Sequence, residues 1–206
     1  PYKEYERIRS DPRVEWAAPV GLGDNYLGYR IIGTEKHFFD LPDREGNLFF
    51  ELAEGDVFQD RFDVVLGSQV AQASGLTIGA SFFGTHGLIE VAGAEVHRDF
   101  PYRVSGILAP SGTAQDRAIF GTLKSVWEIH ETEDLLHSAI QGSAIMADHK
   151  TRETTAILVR LETPGLRLWM ADEIREGTDG IAAIPFNEIM RFQQGILGPV
   201  QQILLA

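Results

Sequence analysis

Three side chains with metal-binding chemistry recur at helical spacing. His130, Glu133 and His137 stand at i, i+3 and i+7, so a helix through them would align all three along one face. His149 follows close in sequence, and imidazole with carboxylate donors suits zinc, copper or nickel. Against such a site, the HETEDLLHS stretch is polar and lacks the tight H-E-x-x-H spacing, and Leu135 and Leu136 imply a different buried face. A solvated linker competes with the metal site for this stretch. His130, Glu133 and His137 are the metal candidates; no catalytic and no cofactor-binding residue is assigned.

Other patterns carry less chemistry. Ser68, in Gly67-Ser68-Gln69-Val70, falls at an expected strand-to-helix turn, where a nucleophile would sit, but G-x-S-x-G is incomplete and an N-cap role fits the serine better. The loop GLGDNYLG at 21–28 is rich in glycine, yet it lacks G-x-G-x-x-G, precedes a strand instead of a helix, and sits in no Walker pattern. Nucleotide binding is not expected there. The 30 acidic residues form many pairs by chance, and sequence alone brings none of them together.

The elements that would position such groups are clearest from Tyr102 to His130. Tyr102–Leu108 alternates and is β-branched at Val104 and Ile107, Pro110-Ser-Gly-Thr breaks it, Arg117–Phe120 resumes an extended pattern, and Ser125–His130 starts a helix. Ser111, Thr113, Gln115, Asp116 and Arg117 then share one rim, where Asp116 and Arg117 are expected to bond turn backbone.

Around this stretch, Tyr2–Asp11 reads as one or two helical turns, Val14–Val20 as a buried strand, Gly21–Tyr26 as a connection and Tyr29–Gly33 as a second strand. Between 34 and 61 lies an aromatic excursion, with Phe38, Phe39, Phe49, Phe50 and Phe58 as anchors to the core. Asp63–Leu66 is a strand and 67–74 a helix stopped by Gly75. Leu76–Phe83 returns as a strand, and Gly79 and Gly84 point to a bulge in a small curved barrel. Gly87–His97 and Phe100–Leu108 add two strands, making 62–123 a β-rich module. From Glu128 a helix end passes into a mobile linker, followed by a buried strand Thr155–Glu162, an amphipathic helix Gly165–Glu176 and a strand Ile181–Ile184. Asn187 would cap a last helix after Pro185.

Composition limits the partners. A chain of 206 residues with 44% hydrophobic content can bury a core without staples, and it has no cysteine for disulfides or thiolate ligands. A net charge of -12 argues against nucleic-acid and anionic-lipid surfaces and leaves protein or small-molecule partners. No run of eighteen apolar residues occurs. The opening at Pro1 and the apolar close at 198–206 fit a piece of a longer chain as well as a processed N-terminus with a C-terminal core helix.

Several segments together resemble a known family. APV-G-x-G at 18–23, G-x-R-I-I-G-T at 28–34, VVLGSQVAQASGLTIG at 64–79, the stretch 102–130 and TTAILVRLE at 154–162 are similar, in order, to the periplasmic core domain of MacB-like ABC transporter permeases, the group that includes FtsX, LolC and LolE. The resemblance implies an α+β fold with two lobes. A β-α-β porter-like, membrane-proximal subdomain would comprise 1–61 plus 151–206, and an inserted β-rich sabre-like subdomain 62–150. It further implies an inner-membrane protein with this domain on the periplasmic or extracellular side, paired with a sister permease, driven by a cytoplasmic ABC ATPase and in contact with a periplasmic adaptor. The domain would be no enzyme and would hold no cofactor; ATP would bind at the ATPase, and motion would pass through the membrane helices. The competing expectation is a free-standing envelope protein that binds a ligand or metal, or a hydrolase. The rim at 111–117 and the aromatic excursion at 37–58 are the expected places of partner contact.

Overall fold

The computed structural model describes residues 1–41, 48–88, 96–140 and 152–185, with backbone alone over 133–140. The chain divides into two compact units, Pro1–Val159 and Arg160–Ala206. In the first, helix α1 (Tyr2–Arg9) leads into strands β1 (Val14–Tyr26) and β2 (Tyr29–Thr34), then β3 (Leu52–Gly55) and β4 (Asp63–Leu66). Helix α2 (Ser68–Ser74), β5 (Ser81–His86), β6 (Val96–Leu108), β7 (Ala118–Thr122) and α3 (Leu123–Ile140) follow, and β8 (Ala156–Leu161) begins at the end of the unit.

Six of these strands close on themselves. β1 pairs antiparallel with β2, β2 parallel with β7, β7 antiparallel with β4, β4 parallel with β6, β6 antiparallel with β5, and β5 returns antiparallel to β1. The result is a small barrel, with β3 added on β6 and β8 on β1. Closing so small a ring demands sharp local twist, and the register shifts supply it: one between Leu22 and Asp24, where Gly23 is the extra residue, and one between Phe83 and Thr85 at Gly84. The curved barrel expected from Gly79 and Gly84 is the observed architecture, but only Gly84 marks a register shift, since Gly79 lies in the turn before β5.

Strand alternation splits the core into two clusters on opposite faces of the sheet. Val64 and Leu66 of β4, Ile119 of β7, Tyr102 and Val104 of β6, Ile31 of β2 and Phe82 of β5 belong to one, closed by Val70 of α2 and Ile129 of α3. Val65, Phe120, Ala118 and Leu108 belong to the other, with Phe38, Phe39, Phe50 and Phe58 from the aromatic excursion. Those phenylalanines anchor the excursion as expected, their rings meeting at centroid distances of 4.8 Å for Phe38 with Phe50 and 5.3 Å for Phe39 with Phe50. Phe49 is the exception and is exposed.

Several expectations are corrected. Residues 21–26 are not a connection but the second half of β1, and the glycines there serve the helix above them. A Cβ on Gly21 would lie 2.6 Å from Leu123 Cδ1, one on Gly33 2.6 Å from Val126 Cγ2, and one on Gly23 would collide with the His130 ring. α3 therefore rests on bare backbone of β1 and β2. The turn between these strands is two residues long, Leu27 and Gly28, both with positive φ (51° and 76°), the conformation that matches the twist of a tight hairpin. Ser68 is the first helical residue and Gly67 the N-cap. Residues 76–80 are a turn, so β5 begins only at Ser81, and Val96–Leu108 is one continuous strand. Helix α3 extends to Ile140, well past the expected helix end. β8 lies at the sheet's edge, so its apolar run is not sandwiched, and Leu158 and Val159 are exposed. The expected strand at 181–184 has no regular structure, and Ile181 is 94% exposed. The last helix falls outside the described residues, as do residues 89–95 of the expected strand Gly87–His97 and residues 141–151 of the expected linker.

The sheet also runs across the boundary drawn at 61 and 62, since β1 and β2 pair with β5 and β7. In the second unit, Pro164–Leu166 forms a 3-10 turn that opens α4 (Arg167–Gly177). Met170 and Ala171 are buried while Leu168 and Trp169 face outward, and Arg175 ties the helix end to the following segment by donating to Asp172 Oδ1 (2.8 Å) and to the Ala182 carbonyl (2.6 Å).

Candidate functional site

Within the barrel unit, strand pairing brings together polar side chains far apart in sequence. Asp24 of β1 stands opposite His86 of β5 in the ladder, and β5 pairs in turn with the start of β6, which carries His97. Asp24 and Asn25 follow directly after the bulge at Gly23, and although neighbours on a strand point to opposite faces, both are fully buried. Asn25 pins the corner: its Nδ2 donates to the carbonyls of Gly87 (2.9 Å) and Thr85 (3.3 Å), and its Oδ1 accepts from Gly28 N (3.2 Å). Gly87 N donates to the Gly23 carbonyl (2.8 Å), holding the end of β5 onto β1.

His97 Nε2 lies 3.1 Å from Asp24 Oδ1, and both side chains are almost wholly out of solvent. The other carboxylate oxygen, Asp24 Oδ2, is buried with no hydrogen-bond partner. His86 is exposed and completes a group in which one donor atom from each of Asp24, His86 and His97 lies within 4.8 Å of the others. The His86 ring packs edge-on against both His97 (5.9 Å between centroids) and His130 of α3 (5.5 Å). Beneath the carboxylate, Tyr102 is fully buried, and burial together with the Asp24 charge holds its phenol in the protonated form far above its ordinary range.

Of the metal candidates read from sequence, only His130 has a described side chain, and it stands beside this cluster; the side chains of Glu133 and His137 and all of His149 lie outside the described residues. Asp24, His86 and His97 were not legible as a set, since 62 and 11 residues separate them. The one local signal is a polar Asp-Asn pair inside an otherwise apolar strand pattern. No metal or cofactor residue is otherwise assigned.

The rim expected at 111–117 is present. Asp116 accepts from Ser111 N (2.9 Å), Ser111 Oγ (2.8 Å) and Gly112 N (2.8 Å), and the backbone bond from Ser111, the strongest of these influences, keeps its carboxyl below the ordinary range. Arg117 covers the Tyr29 ring at 5.6 Å. Gln115 Nε2 reaches the Phe49 carbonyl (3.4 Å), so the rim adjoins exposed Leu48 and Phe49 of the aromatic excursion. Ser111 to Ala114 are exposed as well.

The model of the MacB-like periplasmic core domain matches residues 1–174. The chain belongs to that family. The MacB-like core domain has structural neighbours among solved transporter domains. They include the extracellular domain of the noncanonic ABC-type transporter YknZ from Gram-positive bacteria (TM-score 0.48, 10% identity, 82% of this chain and 76% of that one). Two others are the periplasmic region of MacB from Actinobacillus actinomycetemcomitans (0.41, 12%, 87% and 84%) and a domain of a putative permease from Porphyromonas gingivalis (0.46, 14%, 85% and 76%). No curated protein matches the chain. Membership makes this the periplasmic-type domain of an ABC transporter permease, with the mixed α and β architecture expected of it. Among the described residues no helix is long and apolar enough to cross a membrane.

Proposed function

We propose that this core domain is the extracytoplasmic head of an inner-membrane permease, and that it transmits movement instead of breaking bonds. The family match over 1–174 carries the reading. ATP hydrolysis by a cytoplasmic ATPase would move the head through membrane helices, and the head would act on a sister permease, a periplasmic adaptor or the exported or released substrate. A stiff body suits such a relay, because a barrel closed through six strands, with two core clusters and a helix seated on glycine, moves as one piece.

The contact surface we assign is the rim with its neighbour, exposed Ser111 to Ala114 beside Leu48 (63% exposed) and Phe49 (45% exposed). Two large apolar side chains at the edge of a hydrogen-bonded polar loop are the mixture that protein interfaces use. Photo-crosslinkers placed at Leu48 and Phe49 of the full-length protein in cells test this. The expected adducts contain a second permease or an adaptor, and the protein fractionates with membranes together with an ABC ATPase. Recovery of a soluble envelope protein, free of such adducts, would contradict the proposal.

A further inference from the structure

We propose that Asp24, His86 and His97 form a binding site for a first-row divalent transition ion such as zinc, at the end of the barrel where β1, β5 and β6 meet. The inference is independent of the transport reading, because it rests on the cluster alone.

Three observations carry it. The donor set is two imidazoles and one carboxylate, the mixture that zinc and its neighbours prefer over magnesium or calcium. The geometry is close to coordination. With metal bonds near 2.0–2.1 Å, ligand atoms of a tetrahedral site stand about 3.3 Å apart. His97 Nε2 and Asp24 Oδ1 are already 3.1 Å apart, and the full group fits within 4.8 Å, so His86 needs to move inward by only about 1–2 Å. His86 is exposed at the mouth of the cluster, which leaves its side chain room to do so.

The third observation is the carboxylate itself. Asp24 is fully buried, one oxygen faces His97, and Oδ2 has no partner. Burying half of a carboxylate unpaired is costly, and a cation at this place removes that cost. Asn25 and the Gly87 amide hold the backbone of β1 and β5 in register without using the Asp24 side chain, so the framework is in place before an ion binds. On binding, the ion takes the lone pair of His97 Nε2, and the proton that Nε2 shares with Asp24 Oδ1 is released to solvent, the ring keeping its other proton on Nδ1. Three protein ligands leave a fourth position for water. The bound ion would tie three strands together at one point, and its role is a structural staple for a chain that has no cysteine.

The site differs from the helical set His130, Glu133 and His137, and the test separates them. Calorimetric titration of the 206-residue chain with zinc chloride should show one ion per chain at micromolar concentration, with magnesium chloride giving no heat. Cobalt(II) in place of zinc should develop the intense visible bands of a four-coordinate site. His86→Ala removes an exposed ligand at little cost to folding and should weaken zinc at least about tenfold. Asp24→Asn, checked for folding by circular dichroism, should do the same, while the double variant His137→Ala/His149→Ala should bind as the parent does. Absence of zinc binding overturns the proposal. So does binding that survives His86→Ala, or binding lost with His137 and His149.

Discussion

Replacing Gly33 by alanine tests how α3 is seated on the barrel. The new methyl would lie 2.6 Å from Val126 Cγ2, 3.3 Å from Val126 Cβ and 3.2 Å from the Leu123 backbone. Gly33 lies in β2 with no positive φ, so alanine fits the backbone and the whole cost is overpacking. Val126 is buried and its β-branched side chain has one strongly preferred helical rotamer, so it cannot swing away. Crowding of this kind costs about 1–3 kcal/mol, which would lower a urea midpoint with little change in slope. Val126→Ala alone removes about two methylene equivalents from the core and should cost about 2 kcal/mol. In the double variant the worst clash is gone and the new methyl fills part of the space left. The pair should therefore be less destabilised than the sum of the singles by at least about 0.5 kcal/mol, with the close approach to the Leu123 backbone keeping the rescue incomplete. Equilibrium urea unfolding of the four proteins, followed by tryptophan fluorescence and far-ultraviolet circular dichroism, gives the cycle. A Gly33→Ala variant within about 0.3 kcal/mol of the parent, or strictly additive energies, would refute the close seating of the helix.

Two further predictions follow from local geometry. Glu35 is held down to about 2, chiefly by its hydrogen bond with His37 and also by those from Tyr2 and Tyr5, and His37 is raised by the same partner. The Glu35 contribution is full above its ordinary 4.5 and lost as pH falls through about 2, whereas that of His37 is full below 6.5 and lost as pH rises through its elevated value. The stability gap between the parent and His37→Gln, read from urea midpoints, should thus be larger at pH 5.5 than at pH 9, and an equal gap at both pH values would contradict the pairing. At Gly67 a Cβ would strike the backbone of Gln115 and Asp116, with the Asp116 carbonyl carbon at 2.5 Å, so Gly67→Ala should cost more than about 3 kcal/mol or fail to fold. Gly75→Ala, with positive φ (71°) but nothing within 4 Å, should cost only about 1 kcal/mol, and the reverse order of midpoints would refute the distinction.

Much of the fold was legible because local signals and tertiary packing agree there. β4, the stop of α2 at Gly75, β7 and the start of α3 follow from apolar pattern and turn residues, and four of the five phenylalanines anchor the excursion as their type implies. Glycine was the main source of error. Gly21 and Gly23 read as loop residues, but they are strand residues made small to admit Leu123 and His130, and only the helix above them reveals that. β8 reads as buried because all its residues but Arg160 are apolar, yet its burial depends on what covers an edge strand, which periodicity does not encode. The Asp24, His86 and His97 cluster could not be read as a set, since its members meet only through the pairing of β1 with β5 and β5 with β6. His130 points the other way: a residue singled out for metal chemistry on helical spacing lies beside the cluster, with the neighbours supplied by strands instead of its own helix.

The claim that this domain is a moving head is tested most directly by a distance. This chain has no cysteine, and Lys124 is an exposed residue near the start of α3, so Lys124→Cys offers a single spin-label site in each copy of the domain. In the reconstituted transporter, pulsed electron resonance between the two heads should give one distance distribution without nucleotide and a shifted one with ATP trapped by vanadate. Identical distributions in the two states, in a transporter that still hydrolyses ATP, would contradict the account.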